Sequence, residues 1–362
     1  MPASQQKLKS AIGLMSGTSL DGIDAALIFT DGKRVQDSGF SVFLPYDAVF
    51  QKKLRGLISE AAIDKQTLVT IERELTLKHT AAVQLLLKKA KLKPKDIEVI
   101  GFHGQTIFHA PKQAGTWQIG DASLLAEKTG IAVVGDFRRR DVAAGGEGAP
   151  LVPLYHAAIA GASKKPVAIV NIGGVSNITF IAKDLIFGTD TGPGNALIND
   201  WIYRHNGKPH DAGGKIAAKG KVDQKILAKY LAQSFFTKKP PKSLDRNSFS
   251  LEPVKNLSFE DGAATLTEFT AASIAAIAPH LPQMPAKWII TGGGRHNNYL
   301  MQRLAAHLKG VMPIEEIGID GDMVEAQAFA YLAMRAMLGL PLSLPTTTGI
   351  NRPVTGGGVY RV

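Results

Sequence analysis

Apolar and polar positions fall in blocks along this chain, and the blocks run through the same order twice. Residues 11–15 are apolar, Ser16-Gly17-Thr18-Ser19-Leu20-Asp21-Gly22 is a hydroxyl-rich turn, and residues 23–29 are apolar again. Two apolar runs around a glycine turn predict a hairpin. Residues 167–170, the turn Asn171-Ile172-Gly173-Gly174-Val175-Ser176-Asn177 and residues 178–181 predict a second. Helical spacing and then a strand follow each hairpin. In the first half, residues 68–91 place Leu75, Ala82 and Leu86 on roughly one face of a helix. A strand at 97–101 and a polar turn at His103-Gly104-Gln105-Thr106 come next. In the second half, 266–280 reads as a helix, 287–291 as a strand, and Gly292-Gly293-Gly294-Arg295-His296-Asn297 as a glycine loop. The repeated order predicts a duplicated α/β architecture with a cleft between its halves.

The join is expected between residues 129 and 167, where Ala143-Ala144-Gly145-Gly146-Glu147-Gly148-Ala149-Pro150 is too glycine-rich for an element interior. The division that follows is an N-terminal lobe of residues 1–130 and a C-terminal lobe of 131–362. The 341–362 tail, rich in Pro, Thr and Gly, reads as irregular and able to pack back on the first lobe. A last helix is expected at 323–338, and an exposed loop at 237–247 around Lys239-Pro240-Pro241-Lys242.

At 362 residues the chain is long enough for two cores. It has no cysteine, which removes disulfides, thiolate metal sites and cysteine nucleophiles. No apolar run reaches the ~18–20 residues that span a bilayer. The polar start does not read as a signal peptide, so no membrane partner and a cytoplasmic location are expected. The formal net charge of +11 suits an anionic partner, either nucleic acid or only a nucleotide and an acidic sugar. Basic residues occur in short clusters such as Arg138-Arg139-Arg140, with no long arm and no aromatic-basic signature. Most of the charge therefore reads as solvated surface, and nucleic acid is not expected.

Several segments have residue types that bind or react, each with a plainer reading beside it. The turn at 16–22 offers backbone N–H groups and hydroxyls to an anion, and Asp21 could hold Mg²⁺ through water. A simple hairpin turn uses the same residues. The paired turn at Gly173-Gly174 shifts the balance, because two such turns can face one phosphate chain. No Gly-Lys-Ser/Thr closes either, so neither is a P-loop. Asp190, in Gly188-Thr189-Asp190-Thr191-Gly192-Pro193-Gly194-Asn195, is read at a strand-to-helix turn after the apolar residues 185–187. There it serves as a general base or as a helix cap. Gly292, Gly293 and Gly294 allow approach to a flat ligand or form a strained turn. His103 and Gln105 could bond a polyol, although a lone histidine is more often structural. One arginine of 138–140 could hold a carboxylate through its planar fork, with surface ion pairs preferred for the other two. Glu325, at the start of the last helix, is explained by the helix dipole alone. There is no HExxH and no GxSxG.

Together the segments resemble the anhydro-N-acetylmuramic acid kinase family. The matching blocks run from Gly13-Leu14-Met15-Ser16 to Gly22, then Gly101-Phe102-His103-Gly104-Gln105-Thr106, Gln118-Ile119-Gly120-Asp121 and Asp136-Phe137-Arg138. They continue through residues 143–153, 171–177 and 190–195 to Gly292-Gly293-Gly294 and Glu325-Ala326, in order over nearly the whole chain. The resemblance implies a two-lobed, duplicated actin/hexokinase-like ATPase fold that closes on ATP and Mg²⁺. It implies a bacterial, cytoplasmic enzyme, dimeric, that opens 1,6-anhydro-N-acetylmuramic acid with water and phosphorylates O6, in recycling of peptidoglycan. It further implies Asp190 as general base and Gly17, Thr18, Ser19, Leu20, Asp21, Gly22, Ile23 and Asp24 around the phosphates and Mg²⁺. Gly173 and Gly174 would meet the phosphates from the other lobe, and Gly292, Gly293 and Gly294 the adenosine. His103, Gln105, Asp121, Arg138 and Glu325 would contact the sugar, with Arg138 on its carboxylate.

Two departures stand out. Glu147 occupies a place where Gln is expected, and Leu244-Asp245-Arg246-Asn247 one where Thr-Gly-Arg-Glu is common. Both are expected to lie away from Asp190 and the phosphate turns. Two other functions remain open to the residues themselves. One is a plain sugar kinase without ring hydrolysis; the other is an actin- or Hsp70-like nucleotide switch, which the polar blocks around His103, Asp121 and Arg138 disfavour.

Overall fold

The computed structural model describes residues 7–17, 19–59, 64–113, 115–161, 166–246 and 248–362. It divides into two compact units, Met1–Ile159 with Met323–Val362, and Ala160–Asp322. Each is built on its own sheet.

In the first unit, β1 (Lys9–Ser16), β2 (Gly22–Thr30) and β3 (Val35–Pro45) form an antiparallel meander. β4 (Val99–Ala110) joins parallel to β1, and β5 (Gly115–Ile119) folds back on β4. β6 (Val133–Gly135) is parallel to β4. The second unit follows the same plan. β7 (Val167–Ile172), β8 (Val175–Ala182) and β9 (Leu185–Pro193) form the meander. β10 (Lys287–Thr291) lies parallel to β7, and β11 (Val311–Pro313) parallel to β10. The sheet orders are thus β3-β2-β1-β4-β6 and β9-β8-β7-β10-β11. The duplication legible in the block order is present in the topology.

The tail supplies β12 (Gly358–Tyr360), antiparallel to β6, and so completes the first unit's sheet. The observed units differ from a division at residue 130 for this reason. β6 belongs to the first sheet, β12 pairs with it, and the helix Val324–Met337 packs on β1, β2 and β4. That helix is able to lie close because Gly13 and Gly101 are register partners on β1 and β4. A Cβ on Gly13 would stand 1.7 Å from the Ala326 carbonyl oxygen, and one on Gly101 2.0 Å from that of Phe329.

Long helices follow the expected periodicity. Lys65–Ala90 is capped by the Asp64 carboxylate, which accepts from Thr67 N–H, and ends at left-handed Lys91. It buries Leu75, Ala82 and Leu86 against the sheet. In the second unit, Phe259–Ala275 is buried along most of its length. The polar block at 103–106 is a correction: it lies inside β4 and not in a turn. Pairing with β5 carries the strand past Gly101, and the left-handed Gly104 absorbs the irregularity. Among the described residues no helix is long and apolar enough to cross a membrane.

Three histidines of the first unit are buried and held neutral. Burial lowers His79 to about 4 and His156 to about 3; His103 is pushed well below its usual value by burial and by Arg138 beside it. At pH 7 these groups are neutral in both folded and unfolded chains. As pH falls below about 6.5, the unfolded chain takes up protons that the fold refuses. Stability should then drop by about 1.4 kcal/mol per pH unit for each group, until its folded pKa is reached. The urea midpoint at pH 5 is expected below that at pH 7. Equal midpoints would contradict this account, and His79→Gln should flatten the dependence.

Candidate active site

The first unit presents the turn between β1 and β2. Leu20 N–H donates to the Gly17 carbonyl (3.2 Å), and Leu20 adopts a left-handed φ of 56°. That conformation costs roughly 1–2 kcal/mol. Burying the leucine side chain, only 4% exposed, returns about 1.5–3 kcal/mol, so the strain is held. Ile23 is likewise a core residue, and Gly22 has no room for a side chain beside the Leu44 carbonyl and the Phe43 ring. Gly17, Ser19, Asp21 and Asp24 keep some exposure, and the Ser19 hydroxyl donates to Asp21 Oδ1 (2.6 Å). Thr18 lies outside the described residues. Beneath the turn runs a buried chain: Tyr46 O–H donates to Ser16 Oγ (2.8 Å), Ser16 to Gln105 Oε1 (2.6 Å), and Gln105 Nε2 to the Gly17 carbonyl (3.3 Å). Gln105 therefore holds the turn from below.

His103, Arg138 and Glu325 come together in the same unit. His103 Nδ1–H donates to the Gly104 carbonyl (2.9 Å), so its neutral Nε2 can accept from Arg138 Nε (3.1 Å) and Nη2 (3.0 Å). Arg138 Nη1 donates to the Gly148 carbonyl (2.8 Å). A guanidinium has five N–H donors, so donors remain for a planar anion. Burial lowers Arg138 to about 10, with Glu325 and Asp141 opposing, which leaves it cationic at neutral pH. Burial raises Glu325, and Arg138 opposes that rise. Asp141 accepts from Gly148 N–H, Ser343 and Thr348, and thereby ties the glycine-rich loop to the tail. Arg139 pairs with Asp136, as the plainer reading has it, whereas Arg140 donates to the Thr355 hydroxyl and not to a carboxylate. Asp121 is exposed and caps the helix Ala122–Thr129 through Leu124 N–H.

The second unit carries Asp190 and two glycine segments. The Gly173 carbonyl accepts from Asn195 N–H (2.7 Å), and the Gly174 carbonyl accepts from Gly194 N–H (2.9 Å) and Ala196 N–H (3.2 Å). The β7–β8 turn thus seats the start of the helix Ala196–Asn206, and Gly174 stays exposed. Gly292 has a φ of 75°, and a Cβ there would meet Asn171 Oδ1 at 2.3 Å; one on Gly294 would meet Ile172. These two glycines are required by close packing on β7 whatever they bind. Arg295 locks the loop through Glu315 and Asp322. Asp190 lies within β9, opposite Asn177, and not at a strand-to-helix turn. β9 runs on to Pro193 because β8 pairs with it to Val175. Asp190 Oδ2 accepts from Leu244 N–H at 2.7 Å. The 244–247 departure therefore does touch Asp190, contrary to expectation; Asn247 itself lies outside the described residues.

The profile of the family described as anhydro-N-acetylmuramic acid kinase matches residues 9–362. The chain belongs to that family. An anhydro-N-acetylmuramic acid kinase of Zymomonas mobilis is 47% identical over 364 residues, covering 97% of this chain and all of the relative. One of Acidiphilium cryptum is 49% identical over 359 residues, covering 97% and 98%. A solved activator of 2-hydroxyisocaproyl-CoA dehydratase from Clostridium difficile, with bound ADPNP, aligns at 10% identity over 91% and 96% of the two chains. Its TM-score of 0.44 is too low to add to the assignment. As a member of this family the chain is an ATP-using phosphotransferase acting on a small sugar, in peptidoglycan recycling.

Sequence reasoning missed Tyr46, Thr189 and Leu244. The Ser16 hydroxyl reads in the sequence as a donor to an anion but donates to Gln105 Oε1 instead, and Tyr46 follows directly on the end of β3. Leu244 acts through a backbone N–H, which leaves no trace in residue type. Among the described residues there is no group of three or more His, Asp or Glu side chains able to hold a metal. A Mg²⁺ carried on nucleotide phosphates needs few protein ligands, and exposed Asp21, hydrogen-bonded by Ser19, is compatible with that role.

Proposed function

We propose that this kinase converts 1,6-anhydro-N-acetylmuramic acid, ATP and water to N-acetylmuramic acid 6-phosphate and ADP, with Asp190 as general base. The observation that carries the reading is the Asp190 carboxylate on β9, which accepts from Leu244 N–H, in a chain matched to the family from residue 9 to 362. Asp190 takes a proton from water as its oxygen bonds to C1. The C1–O6 bond breaks, and O6 then attacks the γ-phosphorus, releasing ADP. Arg138, steadied by His103 and Gly148, offers its remaining N–H donors to the lactyl carboxylate. Glu325 and Asp121 accept from sugar hydroxyls, while Gln105 supports the 16–22 turn from below. Residues 17–24 and Gly173-Gly174 border the phosphates, and the 292–294 loop borders the adenosine. Mg²⁺, held by Asp21 through water, would neutralise charge on the phosphates. A cytoplasmic homodimer with no nucleic-acid partner completes the reading.

The test is ADP release in water enriched in oxygen-18. Sugar-dependent ADP with label at C1 is the expected result. ADP without label would make the protein a plain sugar kinase, and sugar-independent ADP a nucleotide switch.

A further inference from the structure

Asp190 is gripped by a segment more than fifty residues further along the chain. Asp190 N–H donates to the Lys242 carbonyl (3.0 Å). The Thr189 hydroxyl donates to the same carbonyl (3.1 Å) and accepts from Lys242 N–H (2.8 Å). Leu244 N–H then reaches Asp190 Oδ2 at 2.7 Å. One hydroxyl thus joins both backbone groups of Lys242, and the register it sets brings Leu244 N–H onto the carboxylate.

The segment is itself anchored. Lys242 Nζ donates to the Phe235 carbonyl (2.9 Å) and lies 4.2 Å from the centroid of the Phe235 ring. Phe235 and Phe236 pack with Phe249 and Phe269 in a buried aromatic cluster. Such a support resists displacement, which makes the segment a fixed part of the site.

We infer that Thr189, acting through Lys242 and Leu244, is a positioning residue that orients the Asp190 carboxylate for proton abstraction. The inference rests on Asp190 being the base. A fixed N–H on Oδ2 restrains rotation of the carboxylate and so holds it in one orientation. The donor is backbone, so any residue except proline at 244 supplies it. Leu244 in place of the threonine common in the family therefore keeps the contact.

The test uses the full-length enzyme with Thr189→Val, Thr189→Ser, Leu244→Pro and Asp190→Asn side by side, reading kcat and both KM values. Valine keeps the shape of threonine and loses both hydrogen bonds, and Leu244→Pro deletes the N–H itself. Both are expected to lower kcat about 10- to 100-fold, with each KM within about twofold, and Thr189→Ser to restore kcat. Wild-type kcat in Thr189→Val and Leu244→Pro, with Asp190→Asn inactive, would overturn the positioning role and leave the base standing. A raised KM with unchanged kcat would overturn it too. Activity in Asp190→Asn would instead remove the base, and the inference with it. If Leu244→Pro fails to fold, the serine–valine contrast at 189 decides.

Discussion

Asp190→Asn is expected to lower sugar-dependent ADP formation by about 10³-fold or more while the protein stays folded. The amide is isosteric, and its oxygen can still accept from Leu244 N–H, so β9 and the 241–246 segment should keep their places. What the amide lacks is basicity. A positioned general base contributes about 10²–10⁴-fold, and without it water must attack C1 carrying its own proton. The KM for ATP should stay close to wild type, because the role proposed for Asp190 is toward water and not toward the nucleotide. The checks are initial rates at saturating sugar and a thermal melt of the same sample. A residual rate above about a tenth of wild type would show that the proton leaves by another route. A large fall in melting temperature would mean that the carboxylate serves the fold.

Gly13→Ala should have the largest effect on stability. The added methyl would lie 1.7 Å from the Ala326 carbonyl oxygen and 2.6 Å from Ala330 N, both backbone atoms of one helix. No rotamer relieves such a clash; the helix Val324–Met337 must move or the strand must bend. Overpacking costs about 1–3 kcal/mol where side chains can yield, and here they cannot. We expect about 3 kcal/mol or more, read as a fall in melting temperature of at least about 5 °C. The same helix carries Glu325, the proposed sugar contact, at its first turn, so the KM for the sugar should rise as well. Gly101→Ala, on the register partner, should behave alike. A melting temperature unchanged in both would contradict this close packing of the helix on β1 and β4.

Much of the architecture was legible as pattern. The helix Lys65–Ala90 follows from 3.6-residue spacing, and β10 from an unbroken apolar run. The two hairpins follow from apolar runs that flank glycine turns. These features depend on neighbours a few residues apart, so the local chain states them. The polar residues of β4 were read as a turn because polar side chains usually face water. Here Ser16, Gln105 and Tyr46 satisfy one another under the sheet, which lets a strand carry them. The site was half legible. Asp190, Arg138 and Glu325 could be named as candidates, but not the hydrogen bonds and charges around them. His103 read as a sugar contact, yet its ring nitrogens face the Gly104 carbonyl and Arg138. Gly292 and Gly294 read as room for a ligand, yet they make room for β7.

The sequence by itself determined the α/β class, the duplicated order of elements and the family, because these are carried by local periodicity and by residue types in fixed blocks. Only the tertiary structure decided that β6, β12 and the helix Val324–Met337 belong with the first sheet, and that Thr189 and Leu244 hold Asp190. Those contacts join residues far apart in the chain through backbone groups that every residue carries. A hydrogen bond from an anonymous N–H, and a glycine chosen for what lies above it, become visible only when the chain has closed on itself.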